Sequence, residues 1–331
     1  MRSYRACIIP QSAFGTKPMG DTLFGQLCWA VCNRYGEERL STLLDGYTSE
    51  RPFAVVSDAL PAGYLPRPAL PGHWFREVLN ADRKTVKNRV WLPLDQFSVP
   101  VADWLQHCQP SSAIPGGTAA EYPQPHNTLN RYTGTTGEGQ FAPYAMNQFW
   151  YGHRKAEHER EKESHNPVEL EVYIVLDETR LSADELRELL FGIGAVGFGR
   201  DASIGLGKYE LKELSRFDLP AQEAADAWLT LAPCAPQGLP WQASCCFYQP
   251  FTRFGRHGDV GVHRGNPFKT PVLLANTGAV LTPTEYETKP FTGQGLGGDG
   301  SLSKSIPGTV HQGYAPVVAI ALPKRSNMGV V

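Results

Sequence analysis

The sequence predicts an α+β protein made of two ferredoxin-like (RRM-like) βαββαβ units, the first interrupted by a long insertion. Three observations predict it. A period-two strand, a capped helix and a glycine-rich loop follow one another over residues 168–211, the same strand-helix-strand order opens the chain, and further strand candidates follow residue 215. A chain of 331 residues can bury two cores of ordinary size, and 33 Gly with 27 Pro favour short elements joined by many turns.

The first strand is read over Tyr4 to Ile9, followed by the loop QSAFGTKPMGD. A helix from Thr22 to Tyr35 places Leu23, Phe24, Leu27, Cys28 and Val31 on one face, with Asp21 as N-cap and Gly36 just past its end. EERLSTLLDGY adds a helical turn or two, and Phe53 to Val56 is a buried strand. The insertion runs roughly from Leu60 to Asn166, far longer than an ordinary connection, and loops of that length are functional or disordered. Inside it HNTLNRYTGTTGEGQFAPY, residues 126–144, marks a projecting hairpin over about 126–145 that turns at Thr133 to Gly137, with Arg131 and Tyr132 beside the turn. In VELEVYIVL, Val168, Leu170, Val172, Ile174 and Leu176 alternate with Glu169, Glu171 and Tyr173, the pattern of a half-buried strand. Ser182 and Glu185 form a capping box, and Leu186, Leu189, Leu190 and Ile193 recur at helical spacing, so a helix runs from Ser182 into Phe191. Leu206, Tyr209 and Leu211 return to strand alternation, closing a first domain over 1–214. The second, 215–331, has strand candidates in ASCCFYQPF, PVLLANTGAVL and PVVAIALP, and its best helix signal is DLPAQEAADAWLTL; it reads as a degenerate copy of the first.

Gly192 to Gly197 satisfies the G-x-G-x-x-G pattern, as does Gly293 to Gly298. A dinucleotide-binding loop needs those glycines after a strand and opening a helix, where pyrophosphate meets the unbonded N–H groups of the helix entrance. Here they close a helix and precede a strand, so Gly192 and Gly194 read as capping and packing glycines. Gly207-Lys208 lacks the other residues of a P-loop, and DASIG around Ser203 lacks the first glycine of a nucleophile elbow. What remains is the loop Gly197 to Gly207, whose small residues let backbone N–H groups approach a ligand, with Arg200 and Ser203 as further donors. A phosphodiester chain suits such donors; a turn without a ligand fits the same residues equally well.

A net charge of −2 argues against a protein that grips duplex nucleic acid by charge alone, so any such contact is local. Basic patches occur at Arg83, Lys84, Lys87 and Arg89, and at Arg253, Arg256, His257, His263, Arg264 and Lys269. RKAEHEREKE mixes both signs and reads as a solvated helix or flexible strip. Seven cysteines without a C-x-x-C point to reduced thiols, and the spacing of His153, His158 and His165 does not match a helical metal site, so neither metal nor cofactor is expected. No apolar run approaches the ~18 residues of a membrane span, and the start lacks a cleavable signal pattern, which predicts a soluble cytoplasmic protein.

With these pieces placed, the sequence resembles a RAMP-superfamily subunit of a type III-A CRISPR (Csm) effector complex, the subunit that caps the complex at the 5′ tag of the guide crRNA. The resemblance covers nearly the whole chain and is carried by GDTLFGQLCWA (20–30), FAVVSDALPAGYLPRP (53–68), HNTLNRYTG (126–134), GFGRDASIGLGKYEL (197–211), NPFKTPVLLANTGAVL and HQGYAPVVAIALP. Each segment is modest alone; their order is specific. The resemblance implies two ferredoxin-like domains with a thumb hairpin in the first, no catalytic activity, and contacts to the large polymerase-like subunit on one side and a backbone RAMP subunit on the other. Target RNA would be met only through the guide. It also implies that Phe14, Gly15, Thr16, Lys17 and Gly20 line the tag-binding cleft, that His126, Asn127, Asn130, Arg131 and Tyr132 form the thumb limb, and that Gly197, Gly199, Arg200, Ser203, Gly205 and Gly207 form the main RNA-binding loop, with Arg264 and Lys269 added from the second domain. Asp201 departs from the basic or neutral residue more usual in such loops. Two rivals stand beside this reading. One is a metal-independent endoribonuclease that trims guide precursors, with acid and base drawn from His126, Tyr132 and Lys269; the other is an interaction protein with no RNA contact.

Overall fold

A computed structural model describes residues 1–78, 82–152, 168–263 and 265–324. The architecture is mixed α/β, rich in sheet and sparing in helix. β1 (Arg2–Pro10) leads through residues 11–19 into α1 (Gly20–Tyr35), which buries Leu23, Phe24, Leu27 and Val31 and ends at Gly36, where φ is 93°. α2 (Glu37–Leu44) turns back and β2 (Ala54–Val56) is wholly buried. β3 (Leu60–Pro61) opens the insertion. Beyond the insertion come β9 (Leu170–Leu176), α5 (Ala183–Val196) and β10 (Tyr209–Arg216). The first sheet has the order β10-β1-β9-β2, every neighbouring pair antiparallel, with β3 also on β9. Two interleaved strand-helix-strand crossovers generate this order, each skipping one strand. Their helices share one face of the sheet, where Leu23, Leu27, Leu190 and Ile193 meet Ala6, Ile8, Val172 and Ile174.

Three details depart from the sequence reading. The N-cap of α1 is Met19, and Asp21 lies inside the first turn, 4% exposed and drawn to a partner across the molecule. α5 continues past Phe191 to Val196, because its apolar stripe keeps packing through Ile193 and outweighs the ~1 kcal/mol a mid-helix glycine costs. Gly197, φ 118°, therefore ends the helix, while Gly194 packs so closely that a Cβ there would sit 2.3 Å from the Tyr209 carbonyl oxygen. Finally, β9 is buried along its whole length. Its polar side is covered too: Glu171 accepts from the Tyr173 hydroxyl at 2.7 Å and from the Gly63 amide at 3.1 Å, with Arg5 at 3.4 Å.

The insertion contributes β4 (Tyr64–Pro66), α3 (Arg83–Asn88), β5 (Arg89–Pro93), α4 (Trp104–His107) and β6 (Gln109–Pro110), with a small sheet in the order β4-β5-β6. Trp74, Leu92, Phe97 and Trp104 form a core with Tyr173 of β9 and with residues of the C-terminal half. β7 (Ala119–His126) and β8 (Tyr144–Tyr151) then pair as a hairpin in register from Ala119–Tyr151 to His126–Tyr144. The hairpin is thus longer than the segment read as one: residues 126–145 are its tip, holding a small turn closed by the Asn130 amide on the Thr135 carbonyl at 3.0 Å. The RKAEHEREKE run and His153, His158 and His165 lie outside the described residues.

In the C-terminal half β11 (Ala227–Thr230), β14 (Val280–Leu281), β15 (Phe291–Gly293) and β18 (Tyr314–Ile320) form a sheet ordered β14-β11-β18-β15. Two ribbons accompany it, β12 (Pro250–Arg253) with β13 (Val272–Ala275), and β16 (Leu296–Gly297) with β17 (Val310–His311). Among the described residues no α-helix follows β10. The helix expected in DLPAQEAADAWLTL is replaced by β11, because AWLT is buried between β14 and β18 and pairing there overrides local propensity. The second unit therefore carries a sheet without crossover helices. The halves are stitched together: the Gln312 amide donates to the Val56 carbonyl and accepts from its N–H, both at 2.8 Å, closing the exposed edge of β2 as a neighbouring strand would. Tyr314 donates to the Tyr47 carbonyl at 2.8 Å, and the Asp58 amide to that of Leu231 at 2.9 Å. No described helix is long and apolar enough to cross a membrane.

Candidate nucleic-acid interface

Three segments far apart in the sequence meet at one end of the first sheet: the loop after β1, the glycine-rich loop after α5, and the base of the β7–β8 hairpin. Phe14 anchors them. Its ring is fully buried against Tyr151 and Phe198, at centroid distances of 5.4 and 6.1 Å, and its backbone exchanges two 2.8 Å hydrogen bonds with Phe149. The two loops then interlock through glycine. A Cβ on Gly15 would lie 2.2 Å from the Arg200 carbonyl oxygen, and one on Gly199 would lie 2.8 Å from Thr16 Cβ. The Arg200 amide donates to Thr16 Oγ1 at 3.1 Å, the Gly207 amide to the Ala13 carbonyl at 2.7 Å, and the Lys208 amide to Ser12 Oγ at 2.9 Å. Arg200 Nη2 donates to the Asn147 carbonyl at 2.5 Å, which ties the hairpin base to both loops.

The glycines serve geometry more than donation. Gly197, Gly199, Gly205 and Gly207 have φ of 118°, 77°, 96° and 72°, a region closed to most side chains. The amides of Gly197, Gly205 and Gly207 are taken by the carbonyls of Ile193, Ala202 and Ala13. The loop closes in a short 3-10 turn, Ala202–Ile204, between Asp201 and Gly205, both of positive φ. Two exposed cations stand on the joined loops. Lys17 holds its ammonium 4.9 Å over the Phe149 ring, and Arg200, its side chain 40% exposed, pairs with Asp201 at 3.2 Å. Asp201 thus moderates the charge that Arg200 presents.

Beneath the first loop two carboxylates fix the start of α1. Gly20 is packed rather than exposed, with its Cβ position 2.2 Å from the Val56 carbonyl oxygen, and its amide donates to Asp58 Oδ1 at 2.7 Å. Thr277 of the C-terminal half donates to Asp58 Oδ2 at 2.5 Å, and burial pushes this carboxyl up to about 7. Asp21 receives Arg253 Nε at 2.6 Å and Nη2 at 2.8 Å, while His311 Nε2 stands 3.4 Å away, in ion-pair range but without hydrogen-bond geometry. Burial raises the Asp21 pKa, but His311 and Arg253 outweigh it and hold the carboxyl below its ordinary value.

The remaining predicted positions lie apart from this cluster. Phe149 lies five residue steps along β8 from Tyr144, about 17 Å of extended chain, so His126, Asn127, Asn130, Arg131 and Tyr132 belong to the far end of the hairpin. His126 stacks on Tyr144 at 5.4 Å and Tyr132 is fully exposed. Lys269 is half-buried beside Gly255, facing the α1 residues Asp21 and Cys28, and burial lowers its pKa. Arg264 lies outside the described residues. No group of three metal-ligating side chains occurs among the described residues. Sequence reasoning missed Asn147 and Phe149, which hold the loops, and the Asp58 anchor. The alternation in YAMNQFWY was the available signal for the former; Asp58 carried none.

No family model and no curated protein matches the sequence. Solved structures do. A chain of the Csm1-Csm4 cassette in complex with pppApA matches with a TM-score of 0.57 at 15% identity, over 97% of this chain and 99% of that one. A chain of the same cassette with cA4 gives 0.57 at 16% over the same shares. A chain of the Csm3-Csm4 subcomplex in the type III-A CRISPR-Cas interference complex gives 0.51 at 11%, over 96% and 99%. The fold is that of the chains matched in the Csm1-Csm4 cassette and the Csm3-Csm4 subcomplex, and the likeness runs the length of both chains.

Proposed function

We propose that this chain is a non-catalytic structural subunit of a type III-A CRISPR interference complex in the cytoplasm, built on two ferredoxin-like domains, the second reduced to its sheet. It holds the 5′ tag of the guide crRNA and bridges the large polymerase-like subunit to the backbone RAMP subunits. The observation that carries the RNA reading is the interlocking of residues 14–17 with residues 197–207 on the hairpin base: Thr16 holds the Arg200 amide, Arg200 holds the hairpin base, and Lys17, Arg200 and Ser203 stay exposed on the joined loops. Such a surface offers hydrogen bonds and two cations to a phosphodiester chain without demanding a base sequence. The partner reading rests on the solved structures, which pair Csm4 with Csm1 and with Csm3. The nuclease rival is the weaker reading, because Lys269 lies beside α1 while His126 and Tyr132 belong to the hairpin tip, and general acid-base catalysis needs its groups within hydrogen-bond reach of one substrate.

The test is to purify the protein with its partners, extract the bound RNA and sequence it. A shared constant 5′ end is expected. Lys17→Ala with Arg200→Ala should weaken guide retention and flatten its salt dependence by about 0.7 in log K against log salt for each phosphate no longer neutralised. Guide content unchanged in that double variant, or precursor RNA shortened by the subunit alone, overturns the proposal.

A further inference from the structure

The basic stretch of residues 253–269 is only partly accounted for by the interface above. β12 and β13 do not stop at Arg253 and Val272. Arg256 forms a further antiparallel bridge with Phe268, the Lys269 amide donates to the Gly255 carbonyl at 2.9 Å, and the His257 amide to that of Pro267 at 2.8 Å, so the ribbon runs on over 250–257 and 267–275. Its two faces differ. On one, Arg253 reaches Asp21 at 2.6 Å and Met19 Sδ at 3.2 Å, which pins the ribbon beside the exit of the first glycine loop. The other face carries Phe254, 78% exposed, Phe268, 65% exposed, Leu273, 69% exposed, and Arg256, whose guanidinium lies 5.9 Å over the Phe268 ring.

We infer that this face is a second single-stranded RNA contact, with Phe254 and Phe268 stacking on unpaired bases and Arg256 meeting the intervening phosphate. Chemistry and continuity commit the occupant. Two exposed aromatic rings with an arginine over one of them, and no acidic side chain among Thr252, Phe254, Arg256, Phe268 and Leu273, suit a polyanion whose every base presents a ring face. Through Arg253 on its opposite face the ribbon is fixed to α1, the element that follows the first loop, so both contacts stand on elements tied to the same helix start. The inference rests on the RNA-binding reading of the loops, but it concerns different residues.

The assembled complex, loaded with guide RNA carrying 4-thiouridine, is irradiated and its crosslinked peptides are identified by mass spectrometry. Crosslinks are expected at Phe254 or Phe268 as well as within 14–17 and 199–203. Phe254→Ala with Phe268→Ala, both exposed and therefore compatible with folding, should raise the chemical-probing reactivity of the nucleotides crosslinked to the ribbon by about fivefold or more, in line with the loss of base-aromatic stacking. Reactivity of nucleotides crosslinked to the glycine loops should stay unchanged. Crosslinks at the loops alone, or ribbon peptides joined to another subunit instead of RNA, refute the second contact and leave the first reading standing. Absence of any crosslink to this chain sinks both.

Discussion

Asp21→Asn keeps the size of the side chain and removes its charge, which isolates the ion pair joining α1 to the C-terminal half. The Asp21 side chain is 0% exposed and that of Arg253 19%, so neither charge is well hydrated. Breaking such a pair leaves an uncompensated guanidinium and typically costs about 3–5 kcal/mol. Arg253 retains a fifth of its exposure and the face of Phe251 at 4.7 Å, which places the expected loss at the low end, about 3 kcal/mol. That is a large share of the roughly 5–15 kcal/mol that holds a domain folded. Removing both charges tells a different story. Asp21→Asn with Arg253→Met replaces the pair by neutral groups of similar size, and its loss should be smaller than that of Asp21→Asn alone. Urea denaturation of the full chain, followed by tryptophan fluorescence, gives the two midpoints and the coupling between the sites. A cost below about 1 kcal/mol for Asp21→Asn, or a double variant no more stable than the single, refutes the buried pair as the tie between the halves.

Other outcomes follow from the same packing. Gly15→Ala drives a Cβ to 2.2 Å from the Arg200 carbonyl oxygen, backbone against backbone, and should cost about 1–3 kcal/mol. Gly192→Ala, mid-helix with open space around it, should gain up to about 1 kcal/mol; thermal melting distinguishes the two. Asp58, raised to about 7, keeps in the folded state a proton that the unfolded chain has released, so its contribution to stability falls as the pH rises from about 4 towards 7. Asp58→Asn should remove that slope from denaturation midpoints measured at pH 5 and pH 8, whereas Asp21, lowered in the fold, stabilises above its unfolded value and loses that contribution as pH falls through its folded one. Tyr132→Ala, at a fully exposed position on the hairpin tip, should leave stability within about 0.5 kcal/mol, and a larger change in the melting curve means that the tip packs on the chain.

The helices and the central strands were legible because their signals are local. The capping box at Ser182 and Glu185, the stripe Leu23, Phe24, Leu27 and Val31, and the alternation in VELEVYIVL all correspond to elements of the first sheet and its helices. Asp21 was misread because Asp before an apolar helix is a common N-cap, and only the position of Arg253, 232 residues away in sequence, reveals its other use. DLPAQEAADAWLTL failed for a related reason: its helical residues end in AWLT, whose buried pairing with two strands decides the outcome. The hairpin was found but placed too narrowly, since the turn residues at its tip were read more readily than the strands Ala119–His126 and Tyr144–Tyr151 that form its limbs.

By itself the sequence determined where the chain is helical and where it alternates in the first unit, that Gly192 to Gly197 does not open a helix, and which residues could turn with positive φ. Those properties depend on neighbours within a few positions. Tertiary structure alone decided that Gly15 meets Arg200, that Phe14 pairs with Phe149, and that Asp58 and Asp21 reach into the other half. Contacts of that kind arise from chain closure over more than a hundred residues, and the close approach of two backbones leaves in the sequence only a glycine, which looks the same whether it caps a helix, turns a loop or admits a neighbour.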